Sequence, residues 1–264
     1  MTKRRFQTET LPKKANLLAP LAGLSILAVL LCLCPACSKS RLASVTPQVE
    51  ANWSSTAQYA SWSNGGYTIY NDVWGSGAGA QTIWANSYSN WGVWSDQPNT
   101  SGVKSFPNST KYVGVALSSL TSCTSSFNVT PPGTGSYEST YDIWDANNAY
   151  ETMLWMNWTG SVGPISASYN SSGQPVAVAT NVSVGNYTWT VYKGSNGSNP
   201  VFSFLCTSQQ NSGTVNILAI LNWIKSQGWF GNITLGNVQF GFEITSSNGG
   251  LNFDCNSYSV AYSG

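Results

Sequence analysis

Residues 237–250, "NVQFGFEITSSNGG", set Val238, Phe240, Phe242 and Ile244 in strict alternation with Gln239, Gly241, Glu243 and Thr245. A period of two is that of a β-strand, whose successive side chains point to opposite faces. One face here is wholly apolar and needs a second layer to bury it. The other is open and carries a carboxylate, Glu243.

"AYETMLWMNW", residues 149–158, divides in the same way. Tyr150, Thr152, Leu154 and Met156 point to one side, and Glu151, Met153, Trp155 and Asn157 to the other. A glutamate among large apolar side chains has an ordinary explanation, an acid on the wet side of a half-exposed strand, and a chemical one. This segment alone does not choose between them.

From about Trp53 onward, short alternating runs are separated by turn-forming clusters, "SNGG", "GSGAG", "TPPGTG", "NSSG" and "GSNGSN". That pattern predicts an all-β chain, an antiparallel sandwich or jelly roll. One segment departs from it. In "TVNILAILNWIKSQG", residues 214–228, apolar residues recur at helical spacing through Val215, Leu218, Leu221 and Ile224, and Gly228 ends the run. A single helix packed on the outside of a sheet is expected. No internal repeat or linker divides residues 53–264, which are read as one domain.

The beginning of the chain has a different character. Five basic residues, Lys3, Arg4, Arg5, Lys13 and Lys14, precede the apolar run "LLAPLAGLSILAVLLCLCPAC", residues 17–37. Residues 1–41 are therefore read as an export signal or a membrane anchor, with residues 42–52 as a short tether. The ending "CPACSKS" resembles a bacterial lipoprotein box with Cys37 as the lipidated residue, although Cys34 stands where an aliphatic residue is usual. The protein is expected outside the cytoplasm, secreted or held at the cell surface by this segment.

Residues 1–41 contain seven of the 11 basic residues but one of the 10 acids, which leaves four bases against nine acids in the rest. Such a surface does not bind nucleic acid through charge. Charged residues make up only 8% of the chain and aromatics 13%, so amides and hydroxyls must wet the surface. Tryptophan and tyrosine in that abundance suit stacking on sugar rings. The three cysteines beyond the export segment, Cys123, Cys206 and Cys255, suggest one disulfide, with Cys206 and Cys255 as the expected pair, and one buried thiol.

The chain has no histidine. Ser-His-Asp and Cys-His catalysis are therefore excluded, no metal-ligand spacing is present, and no glycine-rich loop opens a helix to hold a nucleotide. Any enzyme built here must move protons with carboxylates. Of the nine acids, Glu50 lies in the tether, and Asp96, Glu138, Asp145 and Asp254 have turn-like or irregular surroundings that favour a solvated role. Asp72, Asp142, Glu151 and Glu243 lie in strand-like stretches. Two glutamates on the open face of a curved sheet meet the needs of retaining glycoside hydrolysis, which uses carboxyls about 5 to 5.5 Å apart. Neighbouring strands about 4.8 Å apart allow that separation. A non-catalytic β-glucan-binding module could present the same sheet, and a structural cell-surface lipoprotein is a third reading.

At this point six motifs, in order, resemble those of glycoside hydrolase family 12, the small endo-β-1,4-glucanases and xyloglucanases. They are "YTIYNDVWG" (67–75), "VKSFPN" (103–108), "YDIW" (141–144), "YETMLW" (150–155), "VFSF" (201–204) and "VQFGFE" (238–243). The resemblance covers roughly residues 57–262. It implies a β-jelly roll of two curved antiparallel sheets with one helix on the convex side, an open cleft for an internal stretch of β-glucan, retention of configuration, and no metal or organic cofactor. The protein is expected to work as a monomer.

Residue by residue, the resemblance makes Glu151 the nucleophile and Glu243 the acid/base. Asp142 matches the aspartate that hydrogen-bonds to the nucleophile. Asn71, Trp74, Met153 and Trp155 match positions that hold glucose rings. Asp142 and Glu151 are only nine positions apart, a shorter hairpin than many family members have, and the basic, apolar N-terminus lies outside the family pattern. An ionised Glu151 nearby should raise the Glu243 pKa, so that it can donate a proton to the leaving oxygen. Among the other tryptophans, Trp223 and Trp229 are expected to pack the helix and Trp158 to lie near a strand end, while Trp84, Trp91 and Trp94 offer an unassigned extra platform. Cellulose-type, mixed-linkage and xyloglucan substrates are not distinguished.

Overall fold

The computed structural model describes residues 50–264; the segment read as an export signal or anchor, the lipidation expected at Cys37 and most of the expected tether lie outside the described residues. The strands are β1 (Trp53–Ser55), β2 (Ser61–Asn64), β3 (Tyr67–Tyr70), β4 (Ala80–Ala85), β5 (Trp91–Asp96), β6 (Asn108–Ala116), β7 (Ser122–Thr130) and β8 (Ser136–Asp145). They continue as β9 (Glu151–Thr159), β10 (Ala179–Val184), β11 (Tyr187–Ser195), β12 (Pro200–Cys206) and β13 (Ser212–Asn216). Helix α1 (Ile217–Ser226), β14 (Thr234–Ser246) and β15 (Leu251–Ser263) complete the order.

Two sheets stack as a jelly-roll sandwich. One has the order β1-β4-β5-β15-β7-β13 and the other β10-β11-β12-β9-β8-β14-β6-β3-β2. Pairing is antiparallel with one departure from the expected pattern, the parallel pair β9 and β12, where Val201 faces Glu151. The chain leaves β9, builds β10 and β11 farther out, and returns as β12 into the gap beside β9.

Alternation explains the core. Val238, Phe240, Phe242 and Ile244 on β14 are all fully buried between the sheets. Each such side chain contributes roughly 1.5–3 kcal/mol by leaving water. Phe242 meets Trp91 of the facing sheet at 5.8 Å between ring centroids, and Tyr258 donates its hydroxyl to the Val238 carbonyl at 2.8 Å. The sandwich therefore locks β14 in place, and its other face is presented with little freedom.

The helix begins later than its periodicity suggests, because Val215 belongs to β13. Its buried stripe is Ile217, Ile220, Leu221 and Ile224. Asn216 caps it by accepting from the Ala219 amide at 3.0 Å, and Gly228 lies just past its end at φ 70°. It packs into the core, against β7 of the six-stranded sheet and against the core-facing side of the nine-stranded sheet, where Trp223 meets Phe204 edge-on at 5.4 Å and Trp229 stacks on Phe202 at the same distance.

The disulfide expectation is corrected. Cys123, Cys206 and Cys255 are all free and buried. Each sits on a different strand with its sulfur turned into packing, so each acts as a small apolar side chain. Burial pushes the Cys123 thiol up to about 12, which keeps it protonated and unreactive.

Candidate active site

The face of the nine-stranded sheet away from the core carries a second apolar cluster of Met153, Trp155, Val201 and Leu205, with Trp158 packed against it. A register shift between Ser139 and Thr140 inserts one extra residue in β9. It moves Trp158 onto the face of Trp155, the rings 6.1 Å apart, and turns the Asn157 side chain to the Gln210 carbonyl. Strict alternation assigns these two residues the other way round.

Beside this apolar floor stand four carboxyls on three adjacent strands. Glu151 opens β9 opposite Trp144, Asp142 on β8 lies opposite Met153 and Gln239, and Glu243 on β14 lies directly opposite Glu138 of β8. With β8 between them, β9 and β14 are about 10 Å apart at the backbone. The side chains span enough of that gap for the Glu151 charge to act on Glu243.

Glu151 is 8% exposed and accepts a hydrogen bond from Asn196 Nδ2 at 2.8 Å. Burial raises its pKa and the Asn196 bond opposes that rise. The hairpin that delivers it is short, and Asp145 braces it: Oδ1 accepts from the Ala149 and Tyr150 amides at 2.6 and 2.8 Å, and Oδ2 from the Asn147 amide at 3.1 Å.

Asp142 does not hydrogen-bond to Glu151, contrary to expectation. The register places it diagonally from Glu151, so its Oδ2 instead accepts from Trp144 Nε1 at 2.9 Å, and its buried Oδ1 has no partner. Burial first, then the Glu151 charge, hold its pKa well above the usual carboxylate range, with smaller contributions from Glu243 and Asp72. Asp142 is therefore held toward its neutral form by burial and by the Glu151 charge.

Burial carries the Glu243 pKa up to about 7; a hydrogen bond from Glu138 lowers it and the Glu151 charge raises it. The strand end bearing Glu243 is tied to one of the family-like motifs, residues 103–108. Lys104 donates its amide to the Ile244 carbonyl at 2.8 Å, Ile244 donates to Ser105 at 2.9 Å, and Phe242 donates to Pro107 at 3.1 Å. Gly241 makes this possible, because a Cβ there would meet the Pro107 carbonyl oxygen at 2.0 Å.

The remaining predicted residues separate. Trp74 is half exposed, on a segment whose amide bonds to Lys104, which places it beside the Glu243 strand. Met153 and Trp155 lie on the carboxylate face. Asn71 is fully buried: it donates to the Ala57 carbonyl at 2.9 Å and accepts from Gln81 Nε2 at 3.0 Å. Both ends of its side-chain amide are thus taken up inside the protein, just before the segment that carries Trp74. Asp72 follows β3 rather than lying in a strand, at φ 43°, and burial raises it to about 6. Trp84 and Trp94 belong to the six-stranded sheet and Trp91 to the core, so none shares the carboxylate face.

Two residues escaped sequence reasoning. Asn196 lies in the cluster "GSNGSN", which signals only a turn, and its contact with Glu151 spans 45 positions. Glu138 is a 2%-exposed strand residue rather than a turn residue; Asp145 and Asp254 are likewise in strands. The alternation of Tyr137, Tyr141 and Ile143 carried the signal, but polar Ser139 on the same face obscured it.

A jelly roll whose open face gathers carboxyls beside a pair of packed tryptophans defines a class of carbohydrate-cleaving protein without histidine or nucleotide chemistry. The sequence profile of glycosyl hydrolase family 12 matches residues 49–261, and the chain belongs to that family. It is 32% identical over 216 residues to the xyloglucan-specific endo-β-1,4-glucanase A of Emericella nidulans, covering 75% of this chain and 87% of the relative. The xyloglucanase domain of NopAA from Sinorhizobium fredii, solved with cellobiose, superposes with a TM-score of 0.79 at 49% identity, covering 81% of this chain and all of that one. The family 12 xyloglucanase of Bacillus licheniformis gives 0.68 at 28% identity over 80% of this chain and 100% of its own.

Proposed function

We propose that this chain is an endo-acting β-1,4-glucanase that cleaves internal bonds of xyloglucan and related β-glucans with retention of configuration. The observation that carries the reading is the coupling of Glu151, Asp142 and Glu243 on one open face of the nine-stranded sheet. Three carboxyls gathered so that the Glu151 charge raises the pKa of the other two cost stability and serve no packing purpose, which favours catalysis over a passive sugar-binding face.

In this reading Glu151 attacks the anomeric carbon while Glu243, protonated up to about pH 7, gives its proton to the leaving oxygen. Forming the glycosyl-enzyme removes the Glu151 charge and with it that upward push on the Glu243 pKa, so Glu243, having given up its proton, stays ionised and can draw a proton from water. Asp142, kept neutral, lets Glu151 hold the single negative charge on that side. Trp74, Met153 and Trp155 hold glucose rings, and Asn71 supports Trp74 from beneath. The open cleft admits a chain interior, and relatives named as xyloglucan-specific support a substrate with side branches. The protein acts as a monomer on an exported polysaccharide-degrading route, with residues 1–41 as its export or anchoring segment.

The test is release of reducing ends from xyloglucan, soluble β-1,4-glucan and mixed-linkage glucan, with proton NMR of the first product anomer. Release with the β-anomer appearing first supports the reading. An α-anomer first, or no release from any of the three polymers by folded protein, would overturn it.

A further inference from the structure

Glu138 has no place in the two-glutamate mechanism, yet it is the most deeply buried carboxyl beside it. It is 2% exposed, stands directly across the ladder from Glu243, and lies close enough for the two carboxyls to share a hydrogen bond. Its other oxygen, Oε2, is buried with no partner. A hydrogen bond between two carboxyls requires a proton on one of them. The choice falls on Glu138, because Glu243 retains some exposure to water while an ionised Glu138 would sit buried with an unsatisfied oxygen.

We propose that Glu138 is a positioning residue for the acid/base: it stays a neutral carboxylic acid through the cycle and donates its hydrogen to one oxygen of Glu243. This rests on the assignment of Glu243 as acid/base. With one Glu243 oxygen accepting from Glu138, the catalytic proton resides on the other, the one turned to the open face. When Glu243 is ionised, the same donor stabilises the carboxylate, so Glu138 sets the pH at which the acid is lost.

The groups that face Glu243 from the neighbouring elements are few. They are Glu138 and Asp142 on β8 and Glu151 on β9, with Asp72 acting on Asp142 from the segment after β3. Toward β6 the neighbour of Gly241 is uncharged Asn108. Lys104, in the adjoining segment, spends its ammonium on the Ser101 and Gly102 carbonyls at 2.6 and 2.8 Å. No cation among these answers Glu138, so a proton must.

Two full-length variants and one labelled parent provide the test. Glu138→Gln keeps a neutral donor, so the alkaline limb of kcat/KM should stay within about 0.3 pH unit of the parent. Glu138→Leu removes the donor, which disfavours ionised Glu243, so the limb should move up by about one pH unit with at least about a tenfold fall in kcat. If the Leu variant does not fold, the Gln variant still decides: a downward shift of about a unit or more would mean a negative charge had been removed, and the proposal fails. A folded Leu variant with an unmoved limb overturns it equally. Carbon-13 NMR of Cδ-labelled glutamate needs no substrate and so stands apart from the activity assignment. One carboxyl should remain protonated after Glu243 has titrated in the parent, and its signal should vanish in the Gln variant; a parent in which no glutamate outlasts Glu243 would overturn the proposal.

Discussion

Asn196 Nδ2 donates to Glu151 Oε2 at 2.8 Å, linking the turn between β11 and β12 to the carboxyl at the start of β9. This bond opposes the effect of burial on Glu151 by favouring its ionised form. Removing it with Asn196→Ala should raise the Glu151 pKa. A nucleophile must be ionised, so the acid limb of kcat/KM should move to higher pH. A hydrogen bond to a charged group is worth about 1.5–3 kcal/mol, so kcat/KM near the limb should fall by roughly ten- to a hundredfold. An acid limb that does not move would show that Asn196 only shapes the turn.

Asp145 fixes the hairpin that presents Glu151, accepting from three backbone amides while only 4% exposed. Replacement by alanine leaves three donors without partners in a turn too short to rearrange. Urea unfolding should show a loss of about 2–4 kcal/mol, with Asp145→Asn losing less because one carbonyl oxygen remains. A loss below about 0.5 kcal/mol would mean that water replaces the carboxylate freely.

Gly241 is required by a close approach rather than by a left-handed backbone. The Cβ of Gly241→Ala would sit 2.0 Å from the Pro107 carbonyl oxygen, which itself accepts from the Phe242 amide. Relief of that clash has to shift β14 or the 103–107 segment, moving Glu243 two residues away. Destabilisation of about 1–3 kcal/mol and a fall in kcat larger than any change in KM are expected from thermal unfolding and steady-state kinetics. Unchanged kcat would place the strain elsewhere.

Much of this arrangement was legible because it follows from faces. The alternation of β14 and β9 assigned Glu243, Glu151, Met153 and Trp155 to the open side, and burial on the other side explains why that assignment survives folding. The bulge near Met156 was not legible, since one inserted residue leaves no compositional mark, and it exchanges Asn157 for Trp158. The Trp144 bond to Asp142 depends on a register between strands, which no single strand encodes. Glu138 was read as solvated because Ser139 and Thr140 beside it gave its strand a polar look, whereas both are fully buried. The cysteine pairing failed for the same reason that Asn196 was missed: contacts across many tens of residues belong to topology.

Stability should fall as pH rises through the neutral range. Burial raises Asp72 to about 6 and Glu243 to about 7, so between the ordinary carboxylate values and these the folded chain binds more protons than the unfolded one. The unfolding free energy therefore decreases with pH over roughly pH 4 to 7. Calorimetry should place the highest Tm near the acid end of that window, and Glu243→Gln should flatten the slope. A Tm that climbs steadily from about pH 4 to 7 would contradict the burial of these groups in their neutral forms.

The assignment of roles to the two glutamates comes down to turnover of xyloglucan by the full-length protein and by its Glu151→Gln variant, assayed side by side as released reducing ends with folding checked by circular dichroism. A nucleophile at Glu151 predicts turnover in the parent and a fall of several orders of magnitude in a variant that remains folded. Equal turnover in the two proteins would contradict it, and would place the covalent chemistry on another carboxyl of the same face.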